Sequence, residues 1–395
     1  MIIRHIGLGA LLLALLSAET AQAACRIVFD VTVPASTPAA STLWISGDRA
    51  ELGSWNGSGV ALASAGEQRY VGGVELPEGS DIAFKVTRGS WETVEKTADG
   101  GEQANRTARV QCGDTVRVVV AKWRDQTEGP ATPRTHTLTG TFRVHRAFPS
   151  AFVPARDVLV WLPPGYDSTA AKRYPVVYFL DGQNVFDGAT SFIAGAEWGV
   201  DEAADQLIRT GKVPPFIAVA ISNSSARMGE YTQDADARNG GGASLQHQRF
   251  VVEELLPFID AHYRTRRDAR STGIVGSSLG GLAALDLGLA HPERFGLVGS
   301  VSTSVWWADR AIVTRVSQGK GAGLRIWLDI GDSEGSGPMG SRTVADSERL
   351  RDALLARGYR EGRDLHFVVV PGAQHNERAW AARVGDILTF LLAQR

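Results

Sequence analysis

Gly276-Ser277-Ser278-Leu279-Gly280-Gly281 follows the apolar pair Ile274-Val275 and leads into a leucine- and alanine-rich run that reaches Leu289. The first run reads as the end of a strand and the second as a helix. The six residues between them then make a tight strand-to-helix turn with G-x-S-x-G at its centre. The glycines have a physical task there. A serine held on a sharp turn needs neighbours without side chains, because backbone passes close by. The helix that starts behind it offers unpaired N–H groups and the positive end of its dipole to developing negative charge. Ser278 is therefore the candidate nucleophile.

The surrounding pattern fits that turn. From about residue 136, strand candidates alternate with helical stretches. The strands are Thr139–Val144, Val158–Leu162, Val176–Leu180, Ile217–Ile221, Ile274–Gly276, Arg325–Ile330 and His366–Val370. The helices are Val200–Ile208, Leu245–Tyr263, Gly280–Ala290, Ala345–Arg357 and Asn376–Ala393. Such alternation predicts an α/β domain with a mostly parallel sheet covered on both faces. With the serine turn, it is the pattern of an α/β-hydrolase, whose catalytic residues follow in the order nucleophile, acid, histidine.

Downstream of Ser278 the histidines are His291, His366 and His375. His291 precedes a proline at a helix end, and His366 opens an apolar strand, where packing or solvent exposure accounts for it. His375 follows the last strand through Pro371-Gly372-Ala373-Gln374, at the strand's carboxyl end, where open α/β sheets place their sites. It is the candidate base. The acid belongs in the loop after strand 325–330, where Asp329, Asp332 and Glu334 compete; Asp329 is inside the strand pattern, and Asp332 and Glu334, in the glycine-rich loop beyond it, are equivalent on residue type alone. One oxyanion donor is expected from the N–H of Leu279. A second is expected from Gly182 or Gln183 in the loop after strand 176–180. No metal motif, dinucleotide fingerprint or P-loop is visible, so no cofactor is expected.

The chain has 395 residues, a formal net charge of −2, 44% hydrophobic and 21% charged residues. This near-neutral balance gives no reason to expect nucleic acid as a partner. At the start, Arg4 and His5 precede an apolar segment, Leu11–Leu16, and the A-x-A-like Ala21-Gln22-Ala23. Residues 1–24 are thus expected to be a signal peptide, directing export to the periplasm or medium, and no later run is long enough to span a membrane.

Residues 25–126 have a different texture. Strand-like runs at Cys25–Val33, Thr42–Ser46, Tyr70–Val74, Asp81–Val86, Thr107–Gln111 and Thr115–Ala121 are divided by turn signals such as Asn56-Gly57 and Pro77-Glu78-Gly79. That spacing predicts a β-sandwich. The two cysteines, Cys25 and Cys112, both fall in it, and an exported chain favours a disulfide between them. Residues 127–136, with Gly129, Pro130 and Pro133, read as a linker to a second domain at 137–395.

Two resemblances sharpen these readings. Residues from about 137 onward resemble the Putative esterase family of α/β-hydrolases, which includes enterochelin and feruloyl esterases. The match lies in Val160-Trp161-Leu162-Pro163-Pro164-Gly165-Tyr166, Val176-Val177-Tyr178-Phe179-Leu180-Asp181-Gly182, the Ser278 turn, His291-Pro292-Glu293-Arg294-Phe295-Gly296 and Gly372-Ala373-Gln374-His375. The family's G-x-x-D/E pattern, here Gly331-Asp332-Ser333-Glu334, favours Glu334 as the acid. Residues 25–126 resemble the starch-binding family (carbohydrate-binding module family 20), through Ser46-Gly47-Asp48, Glu51-Leu52-Gly53-Ser54-Trp55-Asn56, Ile82-Ala83-Phe84-Lys85-Val86 and Trp91-Glu92. That resemblance implies a sugar-stacking pair, Trp55 and Trp91, with Lys85 and Asn105 bonding hydroxyls.

Together these imply an exported serine carboxylic-ester hydrolase working through an acyl-enzyme. Its expected substrates are acylated carbohydrates, aromatic esters or siderophore esters, with α-glucan as a ligand of the first domain. An acyltransferase to a sugar acceptor and a non-catalytic carbohydrate-binding protein are the alternatives. Trp198, Trp306 and Trp307 are further pocket candidates, and Arg227 is placed either to hold a polar substrate group or to pair with Glu230.

Overall fold

The computed structural model describes residues 24–393, apart from 54, 56, 102, 104, 128–134, 169, 194, 237–239, 320–322 and 335–337. The expected signal peptide, save Ala24, and most of the expected linker lie outside the described residues. The chain divides into two compact units, Met1–Glu128 and Gly129–Arg395.

The first unit contains β1 (Ala24–Thr32), β2 (Leu43–Gly47), β3 (Val60–Ser64), β4 (Arg69–Pro77), β5 (Asp81–Thr87), β6 (Glu95–Lys96), β7 (Arg106–Arg109), β8 (Thr115–Val119) and β9 (Lys122–Trp123). Seven strands are joined in the order β7-β5-β2-β3-β4-β1-β8, and β6 pairs with β9. Alternation along β1 turns Cys25, Ile27, Phe29 and Val31 inward. There they join Leu43, Ile45, Phe84 and Trp123 in the core of a β-sandwich. β1 runs antiparallel to β4 and parallel to β8. Cys25 is bonded to Cys112, which lies just ahead of β8. The sequence does not announce β3, because Leu62 is the one side chain of Val60–Ser64 that is buried.

The second unit contains β10 (Thr141–Phe148), β11 (Arg156–Leu162), β12 (Val176–Leu180), β13 (Ile217–Ile221), β14 (Ala235–Asp236), β15 (Gly240–Gly241), β16 (Thr272–Ser277), β17 (Leu297–Val301), β18 (Arg325–Gly331) and β19 (Leu365–Val370). Eight form one sheet, β10-β11-β13-β12-β16-β17-β18-β19. It is parallel from β13 to β19, with β10 and β11 antiparallel at one edge. Its central strands β12, β13, β16 and β17 are buried along their whole length, as strands covered on both faces must be. Helices Val200–Arg209 and Val384–Leu392 contribute Leu207, Ile387, Leu388 and Leu391 to one face. The segment Ser244–His262, which includes a π-helical turn at Phe250–Leu255, and helix Leu279–Ala290 cover the other.

The sequence pattern missed the helix Trp307–Gln318 and the short strands β14 and β15, and it misread two further elements. β17 is diluted by Gly299 and Ser300, yet Ser300 is buried with its hydroxyl bonded to the Gly281 carbonyl. The expected helix Asn376–Ala393 is instead two helices, Glu377–Ala381 and Val384–Leu392. The break falls at Arg383, which leaves helical geometry (φ −120°, ψ 0°) and turns its side chain into the protein.

The disulfide closes a loop between residues 87 apart in sequence. Its removal by Cys25→Ser with Cys112→Ser is expected to destabilise the first unit by about 4–5 kcal/mol on the chain-entropy account. Chemical denaturation would show this as a lowered midpoint for the first unit, with the second unit's transition unmoved.

Candidate active site

Ser278 links β16 to helix Leu279–Ala290 at φ 58°, ψ −124°. A non-glycine residue held there stores on the order of 1–3 kcal/mol of backbone strain. Packing fixes it: the Ser278 N–H donates to the Val301 carbonyl (3.0 Å), and its own carbonyl accepts from the Ser304 N–H (3.1 Å). A Cβ on Gly276 would lie 2.4 Å from the Gly280 carbonyl oxygen, so only glycine fits before the serine. Leu279 opens the helix, and its N–H has no acceptor among the described residues.

β12 pairs with β16, which brings the turn Asp181–Asn184 beside the elbow. A Cβ on Gly280 would sit 3.1 Å from Asp181 Oδ2. Gly182 is packed so closely on β13 that a Cβ there would lie 2.6 Å from the backbone of Ile221. The Gln183 N–H, like that of Leu279, has no acceptor among the described residues. Asp181 anchors this turn. Its carboxylate takes two hydrogen bonds from Arg227, both 2.6 Å, and one from Asn223 Nδ2, also 2.6 Å. Arg227 thus braces the turn rather than pairing with Glu230, which forms a buried bidentate pair with Arg156 instead (2.8 Å for each bond).

His375 Nδ1 and Glu334 Oε2 are 2.8 Å apart. With a carboxylate as partner, the proton belongs on Nδ1 and Nε2 is left as the acceptor. Asp332 takes no part in this pair: it is exposed, and its Oδ1 accepts from the Gly372 N–H (2.7 Å) and the Ser333 hydroxyl (2.9 Å). Burial pushes the Glu334 carboxyl up. The hydrogen bond from His375, that residue's charge, and donors from Ser302 and the Gly331 N–H outweigh it and hold the carboxyl below its ordinary value. Glu334 therefore stays ionised across the range in which an imidazole titrates.

Behind Glu334 lies a buried polar cluster that sequence reading missed. Ser302 Oγ donates to Glu334 Oε1 while accepting from Arg383 Nη2 (2.6 Å) and Trp380 Nε1 (2.9 Å). Arg383 in turn holds Asp329 with bonds of 2.9 and 3.0 Å. Asp329 also accepts from Trp327 Nε1 (2.6 Å) and the Ser302 N–H (2.9 Å). Burial raises the Asp329 carboxyl, against the pull of Arg383 and these donors. A charged residue inside a strand pattern and another inside a helix pattern were the available signals.

No hydrogen bond joins Ser278 to His375. The Ser278 hydroxyl is instead 3.2 Å from Ser304 Oγ. Trp306 beside it is 44% exposed, whereas Trp198 and Trp307 are core residues. In the first unit, the Trp55 and Trp91 rings lie 6.2 Å apart at 35°, with Trp91 Nε1 donating to the Trp55 carbonyl (3.0 Å). The Trp55 N–H donates to Gly47, next to Ser46, which is paired across the sheet with Lys85. The register that pairs Phe84 with Arg106 brings Asn105 to the same end.

Comparison with known proteins gives these arrangements a context. Residues 151–391 match the Putative esterase family and residues 24–118 the Starch binding domain family. An endo-1,4-beta-xylanase/feruloyl esterase of Xylanibacter ruminicola is 29% identical over 151 residues, 36% of this chain and 19% of that one. The iron(III) enterobactin esterase of Escherichia coli strain K12 is 29% identical over 203 residues, 46% of each chain. The chain thus spans less than half the length of either relative. A crystal structure of ferric enterobactin esterase from Salmonella typhimurium shares the fold, with a TM-score of 0.52 at 18% identity and 93% of both chains covered.

Arg383→Met would leave the Asp329 carboxylate buried without its cation. A loss of about 3–5 kcal/mol is expected, measured as a lower urea midpoint for the second unit. Asp329→Asn added to that variant should recover part of it.

Proposed function

This chain belongs to the Putative esterase family, and from that premise we propose that it is an exported serine carboxylic-ester hydrolase acting on acylated carbohydrate. The observation that carries the reading is the Glu334–His375 pair following, in chain order, a serine strained into a glycine-flanked elbow.

In this mechanism the Ser278 hydroxyl rotates away from Ser304 to His375 Nε2, which takes its proton as Oγ attacks the ester carbonyl. Glu334 fixes the ring tautomer and stabilises the imidazolium. The N–H groups of Leu279 and Gln183, with Gly182 setting the close approach of the turn, receive the oxyanion; each such donor is worth about 2.7–4 kcal/mol in the transition state. His375 then protonates the departing alcohol, and water attacks the acyl-enzyme by the reverse path. None of these steps calls for a cofactor.

The carbohydrate assignment rests on the starch-binding unit, where Trp55 and Trp91 form an adjacent aromatic pair for the C–H face of a sugar ring, with Lys85 and Asn105 to bond its hydroxyls. Export rests on residues 1–24 and on the Cys25–Cys112 bond. Aromatic and siderophore esters remain within reach of the same chemistry, as does acyl transfer to a sugar hydroxyl in place of water.

Hydrolysis of p-nitrophenyl acetate tests the reading. Ser278→Ala should lower turnover by about 10⁶-fold, and Glu334→Gln by about 10⁴-fold with the fold intact. An equally active Ser278→Ala protein would exclude the serine mechanism. Trp91→Ala should release the chain from insoluble starch without changing hydrolysis of the small ester.

A further inference from the structure

The second unit carries a groove of about 920 Å³ that the mechanism does not use. It runs along β19, the edge strand of the sheet, and is closed on the other side by the two helices of residues 377–392. Its volume falls within the ~300–1,000 Å³ usual for small-molecule sites. The span from His366 to Pro371 gives it a length of about 17 Å at the rise of a strand, which suits a short oligomer better than a single ring.

The lining is chemically mixed. At one end Trp327, His366 and Phe390 form a ring cluster, with centroids 4.5 Å (Trp327 to His366), 5.5 Å (His366 to Phe390) and 6.0 Å (Trp327 to Phe390) apart. Along the helices stand Arg378 and Asp386, neither of which pairs with an opposite charge among the described residues. Gln374, beside His375, completes the other end. A cation and an anion of balanced charge do not select an ionic ligand. Separated donors and acceptors, beside the half-buried His366 and Phe390 and the buried Trp327, suit a neutral polyhydroxyl chain, whose hydroxyls both donate and accept.

We infer that this groove is a second carbohydrate site, holding a stretch of α-glucan beside the loop that carries His375. The inference rests on the acylated-carbohydrate reading, because the starch-binding family of the first unit is what specifies the glucan. Its consequence is that polymer is gripped at the base's loop as well as by the first unit.

Hydrogen exchange of the intact chain with and without maltoheptaose tests it. Slowed exchange is expected in residues 365–371 and 378–390, in addition to any protection within 25–126. Arg378→Ala combined with Asp386→Ala, both exposed side chains, should abolish the groove protection and leave the rest. Protection confined to 25–126, or groove protection that survives both substitutions, would overturn the inference. Turnover of p-nitrophenyl acetate by the same sample separates the two proposals. An active enzyme without groove protection overturns the groove alone, and an inactive one with groove protection overturns only the esterase reading.

Discussion

The buried pair Asp329–Arg383 is the constraint on which the catalytic end of the second unit depends. Taking both charges out of water costs several kcal/mol for each, and their attraction offsets this only with good geometry and full hydrogen bonding. Both conditions are met: Arg383 grips both carboxylate oxygens, while Trp327 and the Ser302 N–H complete the shell of Asp329. The spare guanidinium contact goes to Ser302 Oγ, whose proton is thereby committed to Glu334. A hydrophobic replacement could fill the same volume without orienting Ser302. The pair therefore serves geometry more than stability, and the helix break at Arg383 is the local consequence of sending that side chain inward.

The Ser278 elbow and the His375 loop rest on different elements, and the structure ties them separately. Ser278 is fixed by β17 through Val301 and by the Ser304 turn. His375 is fixed from behind by Glu334 and edge-on by Trp380, 5.2 Å between ring centroids. A further link joins the His375 loop to the turn after β12: Glu377 Oε1 accepts from Asn184 Nδ2 at 3.1 Å. Burial pushes the Glu377 carboxyl up, and the nearby charge of Asp181 acts in the same direction. Two loops expected to supply a base and an oxyanion donor are thus tied to each other.

The sequence was most informative where chemistry and backbone geometry demand the same residue. Gly276 and Gly182 are required by close approaches of 2.4 and 2.6 Å, so the motifs containing them marked the strand-to-helix turn at Ser278 and the turn after β12 directly. The long apolar runs of β12 and β13 were equally plain. The choice between Asp332 and Glu334 was not available from residue type; in the structure the longer side chain spans from Gly331 to His375 while Asp332 caps Gly372. Ser302 and Arg383 were hidden because each lies in a segment whose pattern explains it as strand or helix, and Asp329, visible as a carboxylate inside a strand, gave no sign of its partner Arg383. Arg227 shows the converse error. Proximity in sequence suggested Glu230, but the partner that counts, Asp181, is supplied by the topology of β12.

The contact between Ser278 and Ser304 gives the resting site a definite character. A hydroxyl held by another hydroxyl at 3.2 Å is in a weak, neutral hydrogen bond, worth on the order of 1 kcal/mol. Turning it to an imidazole acceptor would exchange that bond for a comparable one, so it would cost the proposed mechanism little. The strain at φ 58° lies in the backbone and is unaffected by rotation about the side chain. Order here resides in the main chain and in the Glu334–His375 pair, while the Ser278 hydroxyl is held only by this weak bond.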